Sequence, residues 1–120
     1  MLGTPSFPMV SVIIPHYGGE KILDECLHSL ENSTYPNLEI ILVNNASQDN
    51  SVELVKRKFP HVNIFNSDKN RGFAGGCNFG AQHARGKYLL ILNNDTIHEP
   101  DWIHPMIDML ENNPIIASVQ

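Results

Sequence analysis

Polar residues that could bind a metal or a nucleotide cluster in three short segments of the sequence. The segments are residues 15–19, 44–49 and 93–96, and each follows a short apolar run. Asparagine amides donate and accept hydrogen bonds at once, which suits recognition of the edge of a base. A carboxylate at a strand end can hold a hard cation against a diphosphate. Together the segments predict a site for a nucleoside diphosphate with Mg²⁺ or Mn²⁺.

Each of these residues has a more ordinary role when it is taken alone. An aspartate after a strand, such as Asp95, most often forms a turn or caps a helix. Asn44 and Asn45 side by side are more often part of a turn than a base reader. A single histidine such as His16 is more often a surface imidazole than a catalyst. Their combined position in the fold must therefore decide between a site and a set of ordinary loops.

The apolar pattern predicts strands that alternate with helices. Short, mostly β-branched runs predict strands at residues 9–14, 38–43, 62–65, 88–92 and 115–119. Helices are predicted at residues 22–31, from a cap at Ser47 or Asp49 to Phe59, through a small-residue stretch to Arg85, and from residues 99–101 to Leu110. This alternation predicts a mostly parallel sheet with helices on both faces, a Rossmann-like three-layer α/β/α fold.

This fold brings the three polar segments to one place. In open parallel sheets, ligands bind beyond the carboxyl ends of the strands, near the point where strand order reverses. Residues 15–19 follow the first predicted strand, residues 44–49 the second and residues 93–96 the fourth. The sequence therefore places its amides and carboxylates on a single rim of the sheet.

The glycines between residues 70 and 78 have two interpretations. Gly72, Gly75 and Gly76 could let the backbone approach a pyrophosphate, although their spacing matches neither the dinucleotide fingerprint nor the P-loop. They could equally allow a helix to lie close on the sheet. The sequence alone leaves both open.

Length and charge narrow the class of protein. The 120 residues suit one domain, and we divide them into a tail at residues 1–9 and a domain at residues 10–120. The net charge of −5 argues against a nucleic-acid binder, which needs clustered Lys and Arg to displace phosphate counterions. No local Ser-His-Asp or Cys-His arrangement is present, and the six histidines are too scattered to predict a zinc site.

The cysteines and the apolar runs bear on the compartment. Cys26 and Cys77 have neither the number nor the spacing of a disulfide framework, so buried free thiols are expected. Free thiols together with the absence of a signal-like N-terminus predict a cytoplasmic setting. Apolar stretches of about six residues are far shorter than the roughly 20 that a membrane-spanning helix needs. A membrane-attached longer parent remains compatible with this.

Four motifs in this order resemble a known family. They are VSVIIPHY at residues 10–17, VNNASQDNS at 43–51, NRGFAGGCN at 70–78 and LNNDT at 92–96. Together they resemble family 2 of the inverting glycosyltransferases, which have the GT-A fold. The resemblance covers residues 10–120. The Asn-Asn-Asp form of the last motif resembles the form found in a rhamnosyltransferase-like branch of the family.

The resemblance implies transfer of a sugar from a nucleotide diphosphate donor to an acceptor hydroxyl, with inversion and a divalent cation, Mg²⁺ or Mn²⁺. The metal residues would be Asn93 and Asp95, in the place of the family's Asp-x-Asp motif. Asn45 would meet the base edge. The nucleotide-sugar-binding residues would be Pro15, His16, Tyr17, Asn45, Asn70, Arg71, Asn78 and Asn94.

Three residues depart from the family pattern. Asn93 replaces the first aspartate of the metal motif, which weakens the expected cation site. Gly18 stands where asparagine is usual, and Asn44 stands where aspartate is usual, so both changes alter the side chains expected near the donor base. The family's general base lies on a later segment, so we expect it beyond residue 120 and assign no catalytic residue within the chain.

Three hypotheses follow. The first is the donor-binding part of a glycosyltransferase that uses a UDP- or dTDP-linked sugar and a sugar or lipid-linked saccharide acceptor, in bacterial surface polysaccharide synthesis. The second is a non-catalytic nucleotide-binding or self-assembling module, a homo-oligomer formed through an exposed sheet edge. The third is a nucleotidyltransferase or related enzyme, which shares the architecture.

Overall fold

The computed structural model describes residues 7–113 and 115. Its elements, in chain order, are β1 Val10–His16, α1 Glu20–Glu31, β2 Leu38–Asn44, α2 Ser51–Lys58, β3 Asn63–Asn66, α3 Gly72–Ala81, β4 Tyr88–Ile91 and α4 Ile103–Asn112. The first four predicted strands and all four predicted helices are therefore confirmed in their order. The fifth predicted strand, at residues 115–119, falls outside the described residues except for Ile115.

The four strands form one parallel sheet in the order β3-β2-β1-β4. In the register, Val10 lies opposite Leu38 on one side and Tyr88 on the other. The chain first builds outward from β1 to β3 and then crosses to the far side of β1. Strand order therefore reverses between β1 and β4, where a ligand is expected.

Helices cover both faces of the sheet, as the sequence predicts. Alternate residues of β1 and β2 point to opposite faces, so each strand is apolar on both. Ile13, Ile41 and Val43 face α3. The other face carries Val12, Ile14 and their neighbours, and helices α1, α2 and α4 pack on it through Leu23, Leu27, Val55, Ile103 and Ile107. Among the described residues, no helix has the length and apolar character needed to cross a membrane.

Small residues let α3 lie close to the sheet. A Cβ atom on Gly80 would lie 2.7 Å from Cγ2 of Ile13 and 2.9 Å from Cγ2 of Val43. A Cβ atom on Gly76 would lie 2.9 Å from Cβ of Pro15. All three distances are shorter than real Cβ contacts, so these two positions require glycine. The close-packing interpretation therefore holds for Gly76.

Helix α3 ends at Ala81, four residues before the predicted Arg85. The helix tightens first, because the backbone N–H of His83 donates to the carbonyl of Gly80 at 3.0 Å and that of Ala84 to the carbonyl of Ala81 at 3.2 Å, each three residues back. The buried Glu39 carboxylate then accepts hydrogen bonds from the backbone N–H and from Nε of Arg85, each at 2.9 Å. Because the Arg85 N–H is held by Glu39, the helix does not resume there.

Strand β1 runs through Pro15 to His16 instead of ending before the proline. The carbonyl of His16 accepts from Asn45 on the β2 side, and the carbonyl of Ile13 accepts from Leu92 on the β4 side. The backbone nitrogen of Pro15 therefore points to the β4 side of β1, at a level beyond Ile91, the last residue of β4. The missing N–H of proline removes no hydrogen bond from the sheet.

Glu39 gives a stability prediction. Its side chain is 4% exposed and accepts from Ser11 Oγ at 2.6 Å as well as from Arg85. Burial alone would raise the pKa of Glu39, but these hydrogen bonds outweigh burial and hold the pKa below its ordinary value. We expect Glu39→Gln to lower the free energy of unfolding by about 2 kcal/mol at pH 7, measured by urea denaturation.

The pH dependence of this effect has a definite sign. A carboxyl group with a lowered pKa in the folded state stabilises the fold above its unfolded pKa, and this stability is lost as pH falls through the folded pKa. The difference between wild type and Glu39→Gln should therefore shrink on acidification. Glu53→Gln, at a side chain that is 74% exposed, is the matched control and should change little. Equal effects of both substitutions would contradict the role assigned to Glu39.

Candidate functional site

A cleft of about 280 Å³ opens where the strand order reverses. It lies at the carboxyl ends of β1, β2 and β4, beside the start of α3. Its lining residues are Pro15, His16, Tyr17, Asn45, Asn70, Gly72, Phe73, Asn93 and Asn94. Four separate chain segments thus converge, and seven of the ten residues that the sequence assigns to nucleotide or metal binding line one cavity.

The first two loops of this rim are joined by hydrogen bonds. The backbone N–H of Gly18 donates to Ser47 Oγ at 3.0 Å, and that of Gly19 donates to Asp49 Oδ2 at 2.8 Å. Gly18 and Gly19 have φ angles of 72° and 100°, which favour glycine. The hydrogen bond from Ser51, opposed by partial burial, lowers the pKa of Asp49 and keeps the carboxylate ready to accept.

Asp49 does not cap α2 through the usual N-cap geometry. The helix begins at Ser51 after Asn50, and the Asn50 side chain makes no capping bond. The Asp49 carboxylate instead accepts from the backbone N–H of Ser51 at 3.1 Å and from the Ser51 hydroxyl. The predicted aspartate therefore supports the first turn of α2 while it also holds the loop before α1.

Asn45 is bound mainly within the protein. Its side-chain nitrogen donates to the carbonyl of Gly72 at 3.2 Å, and its oxygen accepts from the backbone N–H of Arg71 at 3.4 Å. The residue is 3% exposed. It joins the end of β2 to the start of α3, and one amide hydrogen and one lone pair remain for a ligand. A contact with a base edge stays a prediction.

Asn44 has a structural role at the position where the family usually has aspartate. Its Nδ2 donates to Asn66 Oδ1 at 2.9 Å, and its Oδ1 accepts from the backbone N–H of Ser47 at 3.0 Å. An aspartate could not donate to Asn66. The departure at residue 44 thus links β2 to the end of β3 and shapes the loop that follows.

His16 and Asn94 meet across the cleft. Asn94 Nδ2 lies 2.9 Å from His16 Nδ1, so Nδ1 accepts and Nε2 carries the proton of the neutral ring. His16 is 1% exposed, and burial lowers the pKa of the ring even though Asp49 acts in the opposite direction. A neutral imidazole is what this contact requires. Its Nε2 has no partner among the described residues.

Asn93 lines the cleft, whereas Asp95 follows it on the exposed rim. The carbonyl of Asn93 accepts from Thr96 Oγ1 at 2.9 Å, which closes a short turn. Both side chains are exposed and offer oxygen atoms to the solvent. No group of three or more His, Cys, Asp or Glu side chains is arranged to hold a metal in the described part of the chain.

Two of the sequence-predicted residues lie elsewhere. Arg71 and Asn78 line a second, larger groove of about 560 Å³ beside α3, which shares Asn70 with the cleft. The Arg71 guanidinium is held by Ser67 Oγ at 2.8 Å and by Asp68 Oδ1 at 3.1 Å. It would have to leave both partners to reach the cleft. Any role of Arg71 and Asn78 in nucleotide binding stays a prediction.

Phe73 is a cleft residue that the sequence did not single out as a binding residue. It is 51% exposed, and Tyr17, which also lines the cleft, is 55% exposed. Two exposed aromatic rings at one cavity suit stacking on a flat ring. A large apolar residue at the first turn of a helix made mostly of small residues is the sequence signal for it.

Comparison with known proteins identifies relatives over nearly the whole chain. The family described as Glycosyl transferase family 2 matches residues 11–120. An uncharacterized glycosyltransferase of Haemophilus influenzae is 35% identical over 115 residues, which are 93% of this chain and 36% of that protein. One of Rickettsia prowazekii is 33% identical over 113 residues, 92% of this chain and 35% of that protein. The chain spans about a third of the length of these relatives.

Solved structures share the fold. A mannosyltransferase of Pyrobaculum calidifontis in complex with GDP-Man and Mn²⁺ superposes with a TM-score of 0.81 at 26% identity, over 88% of this chain and 33% of that one. S. aureus TarS residues 1–349 in complex with UDP gives a TM-score of 0.79 at 23% identity, over 88% of this chain and 32% of that one. The layered parallel sheet is thus the one found in these enzymes.

Proposed function

The chain belongs to glycosyl transferase family 2, and we propose that its cleft binds a nucleotide diphosphate sugar together with Mg²⁺ or Mn²⁺. The observation that carries this is the convergence of four segments on one cavity where strand order reverses. The mannosyltransferase that holds GDP-Man and Mn²⁺ on the same fold supports it. Family membership also separates the chain from nucleotidyltransferases of similar architecture.

In this proposal the nucleoside lies against the exposed rings of Tyr17 and Phe73. A base stacked on an aromatic ring gains about 1–3 kcal/mol, whichever base it is. Asn45 and Asn70 stand beside the rings and offer amide groups to the base edge or the sugar. His16 and Asn94 form the wall on the β4 side, beside the residues assigned to the cation.

The oxygen donors at the rim fit a shared cation site. Asn93 and Asp95 supply one amide and one carboxylate, both exposed. Mg²⁺ and similar hard cations are often held by one or two carboxylates together with substrate phosphates and water. A cation bound there would neutralise charge on the diphosphate leaving group. The protein residues themselves orient the donor and hold the rim in place.

The rest of the reaction is assigned to a longer parent protein. We propose that segments after residue 120 bind the acceptor, a sugar or lipid-linked saccharide, and supply the general base that deprotonates it. The transfer would invert the configuration of the sugar. UDP- and dTDP-linked sugars, including dTDP-rhamnose, are the proposed donors, and surface polysaccharide the product. The buried thiols of Cys26 and Cys77 support a reducing, cytoplasmic setting, with a parent attached to a membrane as one arrangement.

The test is a calorimetric titration of the chain with UDP, dTDP and GDP, each with and without Mn²⁺. We expect one of the three to bind more tightly with Mn²⁺. Tyr17→Ala should then weaken binding about tenfold, because a stacking surface is lost. Ile97→Ala is the control, since Ile97 is 69% exposed but does not line the cleft. Equal affinity of Tyr17→Ala and wild type would exclude stacking on Tyr17.

A second candidate function is self-assembly through β4. Among the described strands β4 has a single neighbour, β1, and Leu89 and Ile91 on it are 49% and 46% exposed. An open strand edge with apolar side chains can pair with a second copy. Sedimentation measurements that show a dimer, dispersed by Ile91→Lys, together with no nucleotide binding, would favour this function over the first.

A further inference from the structure

The contact between Asn94 and His16 links the two strands on either side of the cleft. We propose that His16 is a positioning residue that acts through Asn94, holding Asn93 and Asp95 in place for the cation. This inference rests on the proposed function, because it assumes that the residues flanking Asn94 meet a metal and a diphosphate. In this arrangement the Asn94 side chain binds His16 and does not contact the nucleotide sugar.

His16 is itself firmly held. It is the last residue of β1, paired in register with Asn44, and its carbonyl accepts from the backbone N–H of Asn45 at 2.8 Å. The side chain is almost fully buried. A buried ring fixed by a central strand is a rigid acceptor, so a hydrogen bond to it transmits the position of the sheet to the Asn94 side chain.

The segment that carries Asn93 and Asp95 has few other short contacts with the sheet. After β4, Leu92 donates to the carbonyl of Ile13 at 3.0 Å, and the Thr96 hydroxyl bonds back to Asn93 within the same turn. On the α1 side, Cys26 Sγ lies 4.0 Å from the Asn93 carbonyl and 3.9 Å from Thr96 Oγ1, which is a longer and weaker contact. Within the described residues the Asp95 carboxylate accepts no hydrogen bond. The 2.9 Å contact of Asn94 with His16 is therefore the side-chain bond that fixes this turn against β1.

A direct role for His16 is the competing explanation. Its Nε2 has no partner among the described residues and could donate to a ligand oxygen. The two roles use different ring nitrogens, so they can be separated. The side-chain oxygen of asparagine and Nδ1 of histidine are separated from Cβ by the same number of bonds. The amide oxygen and nitrogen of glutamine are one bond further from Cβ, as is Nε2 of histidine. His16→Asn thus keeps an acceptor for Asn94, and His16→Gln keeps a group in the place of Nε2.

The experiment compares His16→Asn, His16→Gln and Asn94→Ala in titrations with the tightest of UDP, dTDP and GDP, with and without Mn²⁺. We expect His16→Asn to bind nucleotide within about twofold of wild type. With Mn²⁺ present, His16→Gln and Asn94→Ala should bind about tenfold more weakly, a change of about 1.4 kcal/mol, and without Mn²⁺ they should bind like wild type. Retained binding in His16→Gln with loss in His16→Asn would overturn the inference in favour of a direct contact. Loss in both or in neither would overturn it as well.

Hydrogen exchange of the amides in residues 92–96 gives a readout that does not depend on a ligand. If His16 positions this turn, exchange is faster in His16→Gln and Asn94→Ala than in wild type and is unchanged in His16→Asn. Absence of nucleotide binding in wild type would count against the proposed function, and this pattern would then still decide whether His16 holds the turn. Equal exchange in all four proteins would contradict the positioning role.

Discussion

Asp95→Ala is expected to abolish the effect of Mn²⁺ on nucleotide binding, with a loss of about tenfold or more in affinity when the metal is present. The physical reason is that Asp95 is the one carboxylate of the proposed cation site, and the Asn93 amide alone is a weak ligand for a hard cation. Without the metal, wild type and Asp95→Ala should bind alike. Titration calorimetry at pH 7.5, where His16 is neutral, measures both values.

The stability of this variant separates loss of a ligand from loss of the fold. Asp95 is exposed and has no hydrogen-bond partner among the described residues, so its removal should change the free energy of unfolding by less than about 0.5 kcal/mol. Asp108→Ala, at an exposed aspartate on α4, is the matched control and should keep the response to Mn²⁺. A full response to Mn²⁺ in Asp95→Ala would show that Asp95 is not a ligand of the cation.

Gly80→Val is expected to destabilise the fold by about 3 kcal/mol, in the upper range for overpacked cores. Even a Cβ atom at this position would lie within 3 Å of Ile13 and Val43, two residues of the central strands. The added methyl groups can be accommodated only if α3 moves off the sheet. Urea denaturation followed by circular dichroism measures the change in the free energy of unfolding.

Asn78→Val separates this packing effect from helix propensity. Asn78 lies on the exposed side of the same helix, and asparagine and valine have similar helix propensities. The change in stability should therefore stay within about 0.5 kcal/mol. Similar losses for both variants would mean that valine disfavours α3 wherever it is placed, and that close packing at Gly80 is not the cause.

The order of the elements could be predicted because β1 and β2 are β-branched and buried along almost their whole length, and β3 and β4 are short runs with an apolar centre. Such runs differ from the amphipathic pattern of α1, in which Leu23, Leu27 and Leu30 recur on one side. The ends of the elements were less predictable. Helix α3 ends early through bonds to carbonyls three residues back, and Glu39, 46 residues away from Arg85 in the chain, then takes the Arg85 N–H. Local sequence carries no sign of that contact.

The location of the site was also predictable, but the contacts within it were not. Strand ends of a parallel sheet meet on one rim, so polar residues after β1, β2 and β4 had to gather there. Whether a given side chain faces a ligand or the protein depends on distant partners. Asn94 lies 78 residues from His16, and Asn45 lies 27 from Gly72. Arg71 and Asn78 lie on the side of α3 that lines the second groove and not the cleft.

The glycine-rich segment shows how one motif divides into two roles. Gly76 and Gly80 lie one helical turn apart and face the sheet, where a side chain would collide. Gly72 has a φ of 73°, lines the cleft, and has no atom within 4 Å of the place where a Cβ would stand. The spacing of glycines alone could not separate a packing position from a cleft position, because close packing at the one and a positive φ at the other both favour glycine.

NMR can locate a bound nucleotide on the chain and so tests directly whether the cleft at the ends of β1, β2 and β4 is the nucleotide site. Amide chemical shifts would be recorded as UDP, dTDP and GDP are added in turn with Mg²⁺, followed by traces of Mn²⁺ to broaden nearby signals. We expect shifts at Tyr17, Asn45, Gly72 and Asn94, broadening centred on residues 93–96, and no change at Glu39 on the opposite rim. Shifts centred on Glu39, or no shift with any of the three nucleotides, would contradict this assignment.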